Sequence, residues 1–149
     1  MESIRCVTEN RRAYLPLLLE ADPDEAMIGR YLDSGRMYVL EIDGAAAAVA
    51  VVVTLPDGSC ELKNIAVDPT RQRQGLGRRL LQAVMDREAA DYALMYVGTT
   101  APTEGFYQSL GFVYSHTVEG FFVDNYPEPI FEDGVQCVDM RYWKRRIQP

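Results

Sequence analysis

The sequence predicts a mixed α/β fold: a mostly antiparallel sheet of six to seven strands with one parallel pair at its centre, flanked by about four helices. Three observations carry this. Two turn signals, Asp43-Gly44 and Pro56-Asp57-Gly58, link three consecutive strand-like runs. An amphipathic helix then separates two more runs in the order strand, helix, strand between residues 59 and 97, which makes a right-handed parallel crossover inside one sheet. No repeat, low-complexity tract or Pro/Gly-rich linker divides the chain, so residues 1–149 read as one domain.

Each element follows from local chemistry. Residues 3–7 read as a short strand. Residues 10–21 read as a helix, with Pro16 the main objection to a straight one. In Asp22-Pro23-Asp24-Glu25, Asp22 is suited to cap free backbone N–H groups, Pro23 to the first helical position and Glu25 to a capping box. That helix is expected to run to about Ser34 and stop at Gly35. Strands follow at residues 37–42, 45–55 and 59–67. The unbroken apolar character of the second implies burial on both faces, whereas the third carries Glu61, Lys63 and Asn64 among apolar residues. Residues 68–74 form a polar loop. A helix begins at Gly75, with Leu76, Leu80 and Val84 on one stripe and Leu81 and Met85 beside it. A strand at 92–97, a short helix at 102–110 and a strand at 112–117 come next. Residues 125–134, with two prolines, read as a loop, and residues 135–143 as the closing strand.

Composition narrows the function. A chain of 149 residues can bury about 70% of its unfolded surface without disulfides or metals. The formal net charge is -7, the wrong sign for a general nucleic-acid binder. The longest apolar run, residues 45–53, is far short of the roughly 20 residues that span a bilayer. Met1-Glu2-Ser3-Ile4-Arg5 lacks a cationic-then-apolar leader pattern. Three separated cysteines (Cys6, Cys60, Cys137) and a single His make a poor zinc set. The expectation is a soluble, cytoplasmic protein with no metal, no nucleic-acid partner and no membrane association.

The most informative segment is Gln72-Arg73-Gln74-Gly75-Leu76-Gly77-Arg78, between a buried strand and an amphipathic helix. A loop there can aim several N–H groups into one concavity with a helix N-terminus behind them, a phosphate-binding arrangement. Arg73, Arg78 and Arg79 add positive charge. The ordinary alternative is a helix start with a solvated arginine face. A Walker loop is ruled out by the missing Gly-Lys-Ser/Thr ending, and a Rossmann fingerprint by the missing third glycine. The run Asn64-Ile65-Ala66-Val67-Asp68-Pro69 followed by Gln72-x-x-Gly75-x-Gly77 resembles the acetyl-CoA pyrophosphate motif of the GNAT N-acetyltransferase superfamily.

A second element agrees. Gly105-Phe106-Tyr107-Gln108-Ser109-Leu110-Gly111-Phe112 is similar to the family's other signature, a tyrosine on a short helix followed by Gly-Phe. The resemblance spans nearly the whole chain and implies the GNAT fold. Asn125-Tyr126-Pro127-Glu128-Pro129-Ile130 resembles a bacterial subset with a Tyr-Pro-Glu-Pro-Ile segment near the C-terminus. Where relatives often place an Asn to contact the coenzyme, this chain reads Thr99-Thr100-Ala101-Pro102, a departure that makes Thr100 the candidate replacement.

The resemblance implies transfer of an acetyl group from acetyl-CoA to a primary amine by direct attack in a ternary complex. Glu61 is the candidate base, directly or through a water, since a carboxylate within an apolar strand has its pKa raised by desolvation. Its ordinary alternative is pairing with Lys63 on a sheet face. Tyr107 is the candidate acid toward the coenzyme sulfur, the alternative being a core aromatic. By resemblance, the backbone of Ala66 and Val67 splays from the next strand and binds the thioester oxygen, and the amides of Gln72, Arg73, Gln74, Gly75, Leu76, Gly77 and Arg78 bind pyrophosphate. Asp124, Tyr126, Glu128 and Glu132 are candidates for lining the acceptor site, against the plainer reading of a solvated acidic loop.

The leading expectation is an acetyltransferase acting on a small-molecule amine, as a monomer or homodimer. A non-catalytic acyl-CoA-binding or regulatory domain is the alternative that keeps the loop, and a protein or peptide N-acetyltransferase is another. Charge distribution favours an amine. Four of the 15 basic residues fall within residues 71–79, while residues 80–140 hold one, Arg87, against ten carboxylates. An anionic coenzyme and a cationic acceptor fit those two stretches.

Overall fold

A computed structural model describes all of residues 1–149. Seven strands form one sheet in the order β1-β2-β3-β4-β5-β9-β6, from β1 (Glu2–Val7), β2 (Arg36–Ile42), β3 (Ala45–Thr54), β4 (Cys60–Val67), β5 (Leu94–Thr99), β6 (Val113–Val118) and β9 (Met140–Arg146). Every neighbouring pair is antiparallel except β4 and β5, which are parallel and joined through α3 (Leu76–Glu88). This is the mixed sheet with a parallel central pair that the turn signals and the strand–helix–strand order predicted.

β3 explains its own composition. Ala48, Ala50 and Val52 pack toward α3, in a core with Leu76, Leu80, Leu81, Val84 and Met85. Val49 and Val51 face the opposite side, against Leu18, Ile28 and Leu32. Each fully buried Leu or Val contributes roughly 1.5–3 kcal/mol, and a strand buried on both faces has no position for a polar side chain.

The structure departs from the sequence reading at both ends. Residues 10–21 do not form one helix. A single 3-10 turn, Arg11–Tyr14, leads into the short α1 (Leu15–Leu18), with Pro16 in its first turn, where a missing N–H does no harm. α2 (Glu25–Gly29) is capped by Asp24, whose carboxylate accepts from the Met27 N–H at 3.1 Å, and not by Asp22. Five α-helices are present where about four were expected, alongside α4 (Ala101–Ser109). The fifth, α5 (Phe121–Asn125), begins just ahead of residues 125–134. Residues 125–134 are not all loop: β7 (Ile130–Glu132) pairs with β8 (Val135–Cys137) in a separate hairpin turning at Asp133-Gly134, and the expected closing strand over residues 135–143 is split between β8 and β9. Residues 138 and 139 break the strand because they serve α5: the Val138 carbonyl accepts from Phe122 N–H and Asp139 from Gly120 N–H.

Candidate active site

The site grows out of β4. Leu62 pairs with Val52 and Asn64 with Val51 on β3, so Lys63 is an extra residue that kinks the strand. On the other edge β4 pairs with β5 only from Cys60 to Leu62, opposite Met95 to Val97. Beyond that the two strands part, and the β4 edge facing β5 is left unladdered. The Asp68 N–H bonds back to Ala47 on β3. By strand alternation the Val67 N–H therefore points into the opening.

That opening holds a cavity of about 630 Å³ lined by both parted strands together with Thr100, Thr103 and Tyr107. It continues into a second, of about 490 Å³, beneath the start of α3, where Gln72, Arg73, Gly75, Leu76, Gly77 and Arg78 line it. Ile65, Val67, Gln72, Thr103 and Tyr107 border both. The loop enters α3 through two left-handed residues, Arg73 (φ 66°) and Gly75 (φ 76°). Its charges are unequal. Arg79 is tied bidentately to Glu2 on β1 and donates to the Gln74 carbonyl, so it braces the loop from behind. Arg78 donates to Ser109 at 2.6 Å. Gln74 does not line the cavity, and Leu76 puts its side chain in the core while its backbone faces the opening.

Tyr107 stands at the junction of the two cavities, 6% exposed. Phe106 and Phe112 pack edge-on against its ring at 5.1 and 5.6 Å. Burial pushes its pKa above the ordinary phenol value, so the hydroxyl holds its proton. Thr100 precedes α4 and donates its hydroxyl to Glu132 at 2.6 Å, joining the β7–β8 hairpin to the cavity rim.

A third cavity, about 340 Å³, lies against the first and shares Asp22, Leu62, Lys63, Gly98, Tyr126 and Met140 with it. Glu61 lines this one, 6% exposed. Burial raises its pKa, and Lys63 at 3.4 Å pulls the other way without cancelling the effect. Both sequence readings of Glu61 are thus physically present: it pairs with Lys63 and it is a desolvated carboxylate facing a cavity.

Of the residues expected at the acceptor side, Tyr126 and Glu132 line cavities, while Asp124 and Glu128 are exposed and outside all three. Placed on a helix end and between two prolines, those two side chains face solvent. Asp22, Tyr31 and Asn64 take a place that sequence reasoning missed. Tyr126 donates to Asp22 Oδ1 at 3.0 Å, Tyr31 donates to Asp22 Oδ2 at 3.1 Å, and Asn64 Nδ2 donates to the Tyr31 oxygen at 3.0 Å. Burial raises the Asp22 pKa against these donors. The available signal was the polar Asn64 inside an apolar strand. His116 is a surface residue of β6 stacked on Tyr142 at 4.9 Å. No three His, Cys, Asp or Glu side chains converge as a metal site, and no helix is long and apolar enough to cross a membrane.

Comparison with known proteins places this architecture. The family profile of the acetyltransferase (GNAT) domain matches residues 33–114. The uncharacterised N-acetyltransferase YvbK of Bacillus subtilis (strain 168) is 32% identical over 128 residues, covering 83% of each chain. The crystal structure of a GNAT family acetyltransferase from Elizabethkingia anophelis, with acetyl-CoA bound, has a TM-score of 0.91 at 34% identity over 97% of both chains. The ribosomal-protein-S18-alanine N-acetyltransferase of Escherichia coli has a TM-score of 0.77 at 26% identity, over 100% of this chain and 96% of that one.

Proposed function

Because the chain belongs to the GNAT family of acetyl-CoA-dependent N-acetyltransferases, we propose that it transfers the acetyl group to a primary amine of a small molecule by direct attack in a ternary complex. The observation that carries this reading is the junction at Leu62 and Lys63. There a long cleft ending in a glycine-rich helix start opens onto a smaller cavity containing a buried carboxylate. The donors along the cleft match an elongated anion bearing a thioester: backbone amides, Arg73 and Arg78 at one end and a free strand edge in the middle. The coenzyme supplies the activated acetyl group.

Each chemical need has a residue. Glu61 takes a proton from the incoming ammonium, directly or through a water, which frees the nitrogen lone pair for attack. The Val67 amide, supported by Ala66, donates to the thioester oxygen as negative charge builds there; one such fixed donor contributes about 3 kcal/mol. Tyr107, kept protonated by its apolar surroundings, gives its proton to the sulfur as the C–S bond breaks, and the second N–H proton, shed as the amide forms, restores the phenol. Thr100 keeps its hydroxyl lone pairs for the coenzyme arm while donating to Glu132. Tyr126 lies on the acceptor side. The protein acts as a single cytoplasmic domain over residues 1–149, as a monomer or homodimer.

The test is a panel of small amines and a peptide N-terminus with acetyl-CoA, reading thiol release and product mass. Turnover of small amines above the peptide is the expected result. Acetyl-CoA binding with no turnover of any amine would replace this reading with a non-catalytic acyl-CoA-binding domain.

A further inference from the structure

The acceptor cavity contains a second carboxylate that the chemistry above leaves unused. Asp22 is 9% exposed, lines both the 630 Å³ and the 340 Å³ cavities, and forms no ion pair with any Lys or Arg. The two cations of the smaller cavity are engaged elsewhere, Lys63 with Glu61 at 3.4 Å and Arg30 with Asn125 at 3.1 Å. Asp22 is held in place by neutral donors instead: Tyr126, Tyr31 and, at 3.3 Å, the Asp24 N–H. Two of these fall on Oδ1 and one on Oδ2. A carboxylate has about four lone-pair sites, so Oδ2 retains one.

Asn64 supplies an independent observation. It is 4% exposed and lines the larger cavity beside Asp22. Its Nδ2 donates to the Leu18 carbonyl, which can only accept, so the amide orientation is fixed and Oδ1 is the free end. That Oδ1 is buried without a hydrogen-bond partner. A buried acceptor left unmatched costs about 1–3 kcal/mol. Side chains of Tyr31, Tyr126 and Tyr142 surround the smaller cavity, and aromatic rings favour organic cations. Asn64 Oδ1 is sealed from the cavity, so Asn64 acts by holding the Tyr31 hydroxyl that donates to Asp22. The unpaired carboxylate and the tyrosine walls describe a subsite for a charged ammonium.

Resting on the acetyl-transfer reading above, we infer that Asp22 binds a second ammonium group of the acceptor, with Asn64 as a positioning residue behind it, so that the preferred substrate class is small aliphatic diamines. One nitrogen delivers its proton to Glu61 and attacks; the other stays charged against Asp22. Asp22 is a specificity residue here and takes no part in the proton transfers.

The experiment compares 1,4-diaminobutane, n-butylamine and 4-aminobutanoate as acceptors, with thiol release as readout. Wild-type protein is expected to prefer the diamine over the monoamine by about 10–100-fold in kcat/KM, the range for a charged hydrogen bond. Asp22→Asn is expected to cut that preference at least tenfold, chiefly through the KM of the diamine. Acetyl-CoA binding by the variant serves as the check that it folds. Equal use of diamine and monoamine by wild-type protein overturns the inference even if the variant does not fold, and so does preference for 4-aminobutanoate, which would instead point to Arg30 or Lys63 as the recognising group. Calorimetric titration of 1,4-diaminobutane into CoA-bound protein separates the two claims. Binding without turnover keeps the subsite and removes the transferase reading; turnover of monoamines without diamine preference does the reverse.

Discussion

The two halves of the site are built in opposite ways. The proposed coenzyme half is local: residues 72–78 are contiguous and run into the first turn of α3, where backbone amides are the proposed donors. The acceptor half is assembled from distant segments. The Tyr126–Asp22 hydrogen bond joins residues 104 positions apart, and Asn64 reaches Tyr31 across 33. A coenzyme common to a whole family needs a backbone cradle insensitive to side-chain drift. An acceptor that differs between relatives suits a cavity of side chains from loops and short helices, free to change one at a time. The halves meet at the few residues that border both the 630 Å³ and the 340 Å³ cavities, chiefly Leu62 and Lys63 on β4, with Glu61 on the acceptor side and Tyr107 on the coenzyme side.

The sharpest way to separate them is to remove the chemistry and keep the binding. Glu61→Gln and Tyr107→Phe are each expected to lower kcat by about 10²–10⁴-fold, the usual scale for losing a positioned base or acid. Acetyl-CoA affinity should change far less in both. The two are distinguished by pH. Glu61 must be deprotonated to act, and burial raises its pKa, so kcat/KM falls with decreasing pH on a limb lying above the ordinary carboxylate value of 4.5. Steady-state profiles should lose that limb in Glu61→Gln and keep it in Tyr107→Phe. An unaltered profile in the Glu61 variant leaves only the Lys63 pairing as its role.

The next largest effects fall on the coenzyme half. A Cβ at Gly77 would sit 3.5 Å from Val67 Cγ2 and 3.8 Å from Phe106 Cζ, ordinary contacts. The fold therefore accepts Gly77→Ala, whose methyl occupies cavity space, and acetyl-CoA affinity is expected to fall about tenfold, or about 1.4 kcal/mol. Gly75 is different. Its φ of 76° belongs to the left-handed region, so Gly75→Val adds about 1–2 kcal/mol of backbone strain to any loss of affinity. Thermal melts with and without acetyl-CoA resolve the two: only the Gly75 variant should melt lower in the absence of ligand.

The same contrast decides what the sequence could disclose. Gly75, Gly77 and the α3 stripe are legible because their signals lie within a few residues of each other. Glu61 and Tyr107 were located by motif position, and burial was predictable for Glu61 from its apolar neighbours. Asp22 reads as a cap because the local pattern, Asp-Pro-Asp-Glu, satisfies a helix start equally well two residues later. Asp24 does the capping and releases Asp22 to the cavity. The extra residue at Lys63 has no local signature either, since only pairing with β3 defines it. At the C-terminus, the Asp133-Gly134 turn lay inside a stretch whose prolines argued for loop, and β7–β8 forms as a separate two-stranded hairpin. Long-range partners settle Lys63 and Asp22, through β3 and the Tyr126 hydroxyl, whereas the hairpin is a local turn whose Asp-Gly signal the neighbouring prolines obscure.

A smaller effect tests the tie between the halves. Thr100→Val removes the 2.6 Å hydrogen bond to Glu132 while keeping side-chain shape. Leaving a half-buried carboxylate one donor short costs about 1–2 kcal/mol locally. Hydrogen exchange at residues 130–137 should quicken, and the KM for acetyl-CoA should rise by roughly two- to tenfold, the range for one neutral hydrogen bond. An unchanged KM would leave Thr100 only its tie to Glu132.

Stability provides the finest distinction, because a poised base and a structural ion pair have opposite signs. A carboxylate whose folded pKa is raised binds more protons in the folded than in the unfolded chain. Its ionisation therefore destabilises the fold as pH rises above the ordinary value of 4.5. At neutral pH that cost is fully present in wild-type protein and absent from Glu61→Gln, whose side chain is isosteric and uncharged. The variant is expected to be more stable at pH 7 by about 0.5–2 kcal/mol, the usual gain from relieving an active-site group. The gain should shrink as pH falls toward 4.5, where Glu61 itself becomes neutral. If Glu61 instead served as a brace for Lys63, the variant would be less stable at neutral pH, with the deficit disappearing in acid. Denaturant melts at pH 7 and pH 4.5 read the sign directly, and a negative value at pH 7 assigns Glu61 to the sheet and not to the reaction.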